Sequence, residues 1–289
     1  MEIAEQSPTR REARRREART RVRLLNRRPG NVGSLLSAAM PFALAVVVYV
    51  AASGVRLAEN PDDKLLPSLS TIGETVERVA FEPDRRTGEI ILWSDTAASL
   101  QRLLIGIAVA AAVGLAVGVP NGLLPWFGAF WSPWVRAVSM IPPLAILPIL
   151  FIAFGIGELA KVMLIVLGTA PFLMRDVEQR VRELPREQFV KAQTLDGTTW
   201  QIALRVVLPQ VLPRLVDGVR LSLGSAWLFL IAAEAIASTD GLGYRIFLVR
   251  RYLAMDVILP YVVWITMLAF LLDFGLRKLN RRCFPWYGA

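Results

Sequence analysis

Histidine is missing from this 289-residue chain, and cysteine occurs once, at Cys283. Those two absences exclude histidine-based proton transfer, a Ser-His-Asp triad, a disulfide framework and the common zinc sites. No GxxxxGK(S/T) phosphate loop occurs either, and the Gly-x-Gly at Gly241 and Gly243 lacks the context of one. Chemistry by the chain itself would have to use carboxylates, Lys, Ser or Tyr, and ATP would have to be bound by another chain. Charge is scarce as well. Only 20% of residues are charged, in blocks separated by long uncharged runs that a single soluble core gives no reason to produce. No low-complexity segment or clear internal repeat is visible, which argues against an inverted-repeat secondary transporter.

What the chain has in excess is apolar residues: 54% hydrophobic, with a mean hydropathy of +0.47. That exceeds the usual share of a globular protein and reads as an all-helical membrane protein. The formal charge of +9 raises nucleic-acid binding, but its placement argues against it. Ten Arg lie within residues 10 to 28, against Glu12 and Glu17, and a hydrophobic span follows directly. This reads as a cytosolic tail, residues 1–34, that holds orientation and touches anionic lipid. A cleaved signal peptide fits poorly, because the basic part is too long and no small-residue cleavage site stands out.

Leu35 to Val55 carries no charge and is long enough to cross about 30 Å of hydrocarbon. From Leu103 to Gly157 the only charge is Arg136, which suits two spans joined near Pro120-Asn121-Gly122. Six transmembrane helices are expected, at about 35–55, 96–119, 131–154, 159–174, 221–239 and 257–276, with a short amphipathic helix over Thr71 to Val79 outside them. Residues 35–276 would form one transmembrane domain and 277–289 a second cytosolic tail. Six spans put both termini on one side. Lys and Arg number ten in 1–34, one in 120–136, eight in 175–220 and four in 277–289, so that side holds 23 of the 33 and is cytosolic by the positive-inside rule.

The polar segment 184–217 has too many ordered signals to be a slack connector. Leu184-Pro185-Arg186-Glu187 starts a helix with Pro in a permitted position. Asp196-Gly197 stops it, Gly197 being expected to take the left-handed conformation. Thr198 and Gln201 have capping-box spacing for a second short helix, whose continuation into the fifth span Pro209 and Pro213 limit.

Val190-Lys191-Ala192, three residues, Asp196, nine residues, then Val206-Val207-Leu208-Pro209 resembles, in spacing, the EAA-x3-G-x9-I-x-L-P loop of permease subunits of bacterial ATP-binding-cassette importers. The resemblance runs from about Leu66 to Lys278. Leu66-Pro67-Ser68, Ser99-Leu100-Gln101-Arg102, Ile141-Pro142-Pro143-Leu144-Ala145, Phe154 to Lys161 and Gly241-Leu242-Gly243-Tyr244 sit where the nitrate/taurine/sulfonate branch has similar strings. It implies a type I importer permease fold with a coupling helix that docks in a groove of an ATPase subunit. Val190, Lys191, Ala192, Leu195, Asp196, Gly197, Leu208 and Pro209 would do the coupling. It further implies two ATPase subunits carrying ATP and Mg, a second permease copy in a homodimer, a periplasmic or lipid-anchored solute-binding protein, and alternating access for a small solute such as nitrate, taurine or another sulfonate. The chain itself would bind no cofactor and be no enzyme. Three departures stand out: the family's Glu is Val190, its first Ala is Lys191, and its Gly is Asp196 with Gly displaced to Gly197.

Within the membrane, Glu234 must pair, protonate or face water. It could line the solute path, or pair with Arg102 at a similar depth to fix helix packing. Pro142, Pro143 and Pro148 interrupt the third span and make Ser139, Met140, Pro142 and Pro143 path candidates, or only a kink. Ser222, Ser225 and Phe229 share one stripe of the fifth span, where path lining and close packing would look alike. Asp273 could meet Arg277 at i+4. Other classes remain at this level. A secondary transporter or channel using Glu234 would work without an ATPase, and a lipid enzyme would need Lys161, Glu234 or Asp273, which show no motif spacing.

Overall fold

The computed structural model describes residues 30–61, 63–84 and 88–287; the basic stretch 1–29 lies outside them. The chain divides into two units, Met1–Pro61 and Asp62–Ala289. In the first, α1 (Asn31–Glu59) is the described element, and its apolar side chains, among them Leu36, Phe42, Val47 and Val55, are exposed. A helix that keeps its apolar side chains on the outside suits lipid rather than water.

The second unit begins with the amphipathic α2 (Leu69–Phe81), capped by Ser68 Oγ, which accepts the Thr71 amide at 3.1 Å. Its bundle is built on α3 (Ile91–Leu123), α6 (Glu158–Arg182), α9 (Leu208–Ala237) and α11 (Met255–Cys283). α3 and α6 make the most extensive pairing, and the sequence of α3 shows why. Gly106, Ala110, Gly114, Gly118 and Gly122 recur every four residues. A Cβ at Gly106 would lie 2.8 Å from Ile165 Cβ, at Gly114 2.9 Å from Leu173 Cβ, and at Gly118 2.7 Å from the Met174 carbonyl oxygen. A small residue every four lets the two backbones touch along nearly the whole of α6.

The expected third span is broken. α4 (Pro125–Val138) ends, a 3-10 turn (Pro143–Ile146) follows and leads into α5 (Leu147–Phe154), and this second segment, Pro143–Phe154, lies at 81° to α4. Pro142 and Pro143 donate no amide hydrogen bond and push the preceding residue out of the helical region, so the interruption expected from them is a corner rather than a kink. Pro209 and Pro213, by contrast, do not stop the fifth span. A π turn (Ala203–Val207) joins α8 (Thr199–Ile202) to α9, and the Leu208 amide bonds to the Ala203 carbonyl five residues back. The wider turn moves the Arg205 carbonyl away from the Pro209 ring, the clash that would otherwise break the helix.

Among the described residues, four helices are long and apolar enough to cross a membrane, and the bent pair would make five. The fourth expected span, 159–174 within α6, is not among them, because Glu158 and Lys161 at one end and Arg175 and Asp176 at the other leave only a short uncharged middle. α6 is instead the central helix, with Leu164, Ile165, Leu173 and Val177 inaccessible to solvent, so its sequence need not match lipid. α10 (Leu242–Arg250) links α9 to α11.

Candidate functional site

Two assemblies stand at opposite ends of α6. At the Arg182 end, α7 (Arg186–Thr194) and α8 form a rigid elbow between α6 and α9. Asp196 has φ +56°, its amide donates to the Gln193 carbonyl at 3.0 Å, and the Gly197 amide donates to the Ala192 carbonyl at 2.9 Å. This is a Schellman closure with Asp196, not Gly197, in the left-handed position. Gly197 is needed for another reason: a Cβ there would sit 2.7 Å from the Ala192 carbonyl oxygen. The capping box at Thr198 and Gln201 is formed in both directions. Gln210 Nε2 donates to Gln188 Oε1 and to the Val206 carbonyl, both at 2.8 Å, fastening α7 to α9.

Phe189, Ala192 and Ile202 pack inward. Val190, Leu195 and Trp200 point out, with Leu195 83% and Trp200 71% exposed. Lys191 and Asp196 are exposed, Leu208 is half-buried, and Pro209 is half-buried at the start of α9. Just before the elbow, the Glu183 carboxyl accepts from Gln179 and Arg180, which holds it below the usual carboxylate range.

At the Glu158 end, polar side chains of α3, α6 and α9 meet around Arg102. Its guanidinium donates to Glu234 Oε1 at 2.8 Å, to Asp240 Oδ1 at 2.5 Å and to Glu158 through Nε and, at 2.8 Å, Nη2. Glu234 is 0% exposed. It also accepts from Ser99 Oγ at 2.8 Å and from the Gly243 amide at 2.8 Å. Lys161 Nζ joins Glu158 Oε1 (2.7 Å) to Ser238 Oγ (2.9 Å). Two helical turns before Arg102 on α3, Asp95 accepts from the Gly241 amide, Arg245 Nε and the Tyr261 hydroxyl at 3.0, 2.8 and 3.1 Å.

The Gly-x-Gly pair therefore wraps carboxylates rather than phosphate. Gly241 has φ +106°, and a Cβ there would lie 2.5 Å from Glu234 Oε1. Only glycine fits both conditions. Asp95, Lys161 and Asp240 were not singled out for this cluster by sequence. Asp95, Ser99 and Arg102 stand at i, i+4 and i+7, one face of α3, and that periodicity was the available signal.

A cleft of about 360 Å³ lies further along α6, lined in part by Ser139, Pro143, Gly168, Phe172 and Arg175. Arg175 Nη1 donates to Ser139 Oγ at 3.1 Å and forms no ion pair among the described residues. Met140 and Pro142 are exposed on the corner beside it. The structure does not bring Glu234, Ser222 or Ser225 to this cleft. Arg175 is about 25 Å along α6 from Glu158, and the two hydroxyls bond within their own helix, to the Val219 and Ser222 carbonyls. Phe229 packs on Gly168, the cleft wall.

A bundle of membrane-length helices, with its buried charges neutralised in networks and a stiff elbow exposed at one end, is a membrane transport component whose working parts are helices. Residues 98–284 match the family of binding-protein-dependent transport system inner membrane components, and the chain belongs to that family. The taurine transport system permease protein TauC of Escherichia coli (strain K12) is 38% identical over 197 residues, 68% of this chain and 72% of the relative. The bicarbonate transport system permease protein CmpB of Synechococcus elongatus is 32% identical over 192 residues, 66% of this chain and 69% of the relative. Among solved structures, an inward-facing conformation of the MetNI methionine ABC transporter shares the fold with a TM-score of 0.59 at 24% identity, over 66% of this chain and 95% of that one.

Proposed function

We propose that the chain is the permease subunit of an ATP-driven importer for small solutes bearing an oxyanion group, acting as a homodimer by alternating access. Taurine and bicarbonate, named for the two relatives, share that group. ATP and Mg would be held by separate ATPase subunits and the solute delivered by an external binding protein. The elbow end faces the cytosol, where the basic residues concentrate.

One observation carries this reading. The elbow exposes Val190, Leu195 and Trp200 while the two helices it connects, α6 and α9, are core elements of the bundle. Apolar side chains held outward on a rigid, capped turn suit a partner's groove, and motion of that turn is delivered to the core. The cleft at Ser139, Pro143 and Arg175 is assigned to the solute path, with Met140 and Pro142 at its rim. Ser222, Ser225 and Glu234 are assigned to packing.

Reconstitution with the ATPase and binding protein tests it. Leu195→Asp and Trp200→Asp are expected to abolish ATP-driven uptake while the chain stays folded. Uptake by the chain alone, or unchanged uptake in both variants, would overturn the proposal. Melting of the binding protein against a panel of sulfonates, nitrate and bicarbonate identifies the solute.

A further inference from the structure

At the elbow end, Asn280 of α11 donates to the Pro213 carbonyl of α9 at 3.0 Å, and beside this contact the residues after α11 join both helices in lining a pocket. The resulting pocket has a volume of about 500 Å³. Arg220 of α9 faces Arg277 and Arg281 of α11 across it, with Asp217 on one wall and Phe284 and Tyr287 closing it. Arg220 uses Nε on Asp273 Oδ1 (2.8 Å) and Nη1 on Asp217 Oδ1 (2.9 Å), and Arg277 uses Nη2 on Asp273 Oδ2 (2.7 Å). Arg220 Nη2, Arg277 Nη1 and Nε, and the whole Arg281 guanidinium have no acceptor among the described residues. Three guanidinium groups are thus set against two carboxylates, and Arg214 stands 5.7 Å over the Tyr287 ring just outside.

Cations in the last turn of a helix ordinarily complement its dipole. That accounts for Arg281 but not for Arg277, which stands before the last turn, nor for Arg220, which comes from another helix, nor for a concave volume between them. Convergent forked donors with spare N–H groups are the arrangement that takes a tetrahedral oxyanion. The level is also defined. α11 spans 29 residues, about 43 Å, longer than roughly 30 Å of hydrocarbon, so its last turns stand at headgroup depth. Phe274 and Phe270 are exposed about one and two turns before Arg277, and Trp286 is exposed at the rim, as in an interfacial anchor.

We propose that this pocket binds a phosphate group, presented either by an anionic lipid headgroup or as free inorganic phosphate, and that its occupancy clamps α9 to α11. The volume admits a phosphate with its glycerol.

The test uses the full chain in nanodiscs of phosphatidylcholine with and without phosphatidylglycerol, and in detergent with millimolar inorganic phosphate. Unfolding midpoint and bound lipid, by native mass spectrometry, are read. Arg281→Gln is the chosen variant, since Arg281 has no protein partner to lose, and Arg251→Gln, at the far end of α10, removes the same charge elsewhere. Phosphatidylglycerol or phosphate is expected to raise the wild-type midpoint, and Arg281→Gln to weaken that binding roughly fivefold, about 1 kcal/mol per cation near such a surface, while Arg251→Gln leaves it unchanged. Adding Arg277→Gln should weaken it further. A shift with lipid alone assigns a headgroup, and a shift with phosphate in detergent assigns the free ion. No shift with either, or equal loss in Arg281→Gln and Arg251→Gln, overturns the proposal.

Discussion

Substituting Arg102 by Met keeps the side-chain stem in the α3–α6–α9 junction and deletes the guanidinium, and the consequences for its three acceptors differ. Glu158 and Asp240 have side chains 62% and 50% exposed, so water replaces the lost partner, and each loss costs at most about 1 kcal/mol. Glu234 is fully buried and keeps only the Ser99 hydroxyl and the Gly243 amide as donors. An uncompensated buried carboxylate of that kind costs about 3–5 kcal/mol.

Glu234→Gln is milder. Its carbonyl still accepts from Ser99 and Gly243, Arg102 still has two carboxylates, and the loss is one charge-assisted hydrogen bond, roughly 1.5–3 kcal/mol. The diagnostic is the double variant. Arg102→Met with Glu234→Gln removes the orphaned charge and should unfold later than Arg102→Met alone, a second substitution restoring stability. Denaturant-dependent pulse proteolysis of the solubilised chain reads all three. If Arg102→Met proved no worse than Glu234→Gln, or the double variant were the least stable, the buried pair would not be what joins these helices.

Asp196→Gly should stabilise the elbow by about 0.5–1 kcal/mol, because it relieves a side chain at φ +56°, whereas Gly197→Ala should destabilise it by roughly 1–3 kcal/mol by driving a Cβ against the Ala192 carbonyl. Slower and faster proteolysis between α7 and α8, respectively, is the readout. Gly118→Ala places a Cβ 2.7 Å from the Met174 carbonyl oxygen and should cost about 1–3 kcal/mol, while Gly54→Ala, with nothing within 4 Å, should gain about 0.5–1 kcal/mol. Opposite shifts in melting temperature check the pair.

The first, second, fifth and sixth spans, the amphipathic α2, the Thr198 capping box, the Asp273–Arg277 pair and the depth match of Arg102 with Glu234 were all legible, because each depends on spacing along one helix or on hydropathy. What was not legible depends on a residue's neighbour. Gly197 was expected in the left-handed position because glycine tolerates it best, yet the closure puts Asp196 there, and the glycine is demanded by a carbonyl five residues back. Pro209 reads as a helix stop until a π turn ahead of it removes the clash. α6 fails as an apolar span since it is sheathed by other helices, and hydropathy measures the lipid-facing surface it does not need. The four-residue ladder from Gly106 to Gly122 was present in the sequence as a pattern, but only its partner helix gives it meaning. Asp95 was hidden because a buried carboxylate held by the Gly241 amide and by Arg245 and Tyr261 announces itself only through where those donors fold.

These features combine into a mechanical statement. α6 and α9 run antiparallel from the elbow for about 37 and 45 Å, and their far ends are tied by the Arg102 network, with Glu158 and Lys161 on α6 and Glu234 on α9, Ser238 and Asp240 following it. The elbow is thus one end of a closed loop of two stiff helices, pinned by Gln210 to Gln188 at one end and by a charge network at the other, with α3 zipped against α6 between them. A loop closed at both ends cannot absorb a push on α7 by bending locally; it moves as a body. The bend at Pro142-Pro143 is a place where backbone is already out of the helical ladder, and it borders the cleft. Displacement of the α3–α6–α9 body relative to α4 and α5 would therefore widen or narrow the cleft without breaking a packed helix, which is what alternating access requires of a subunit that hydrolyses nothing itself.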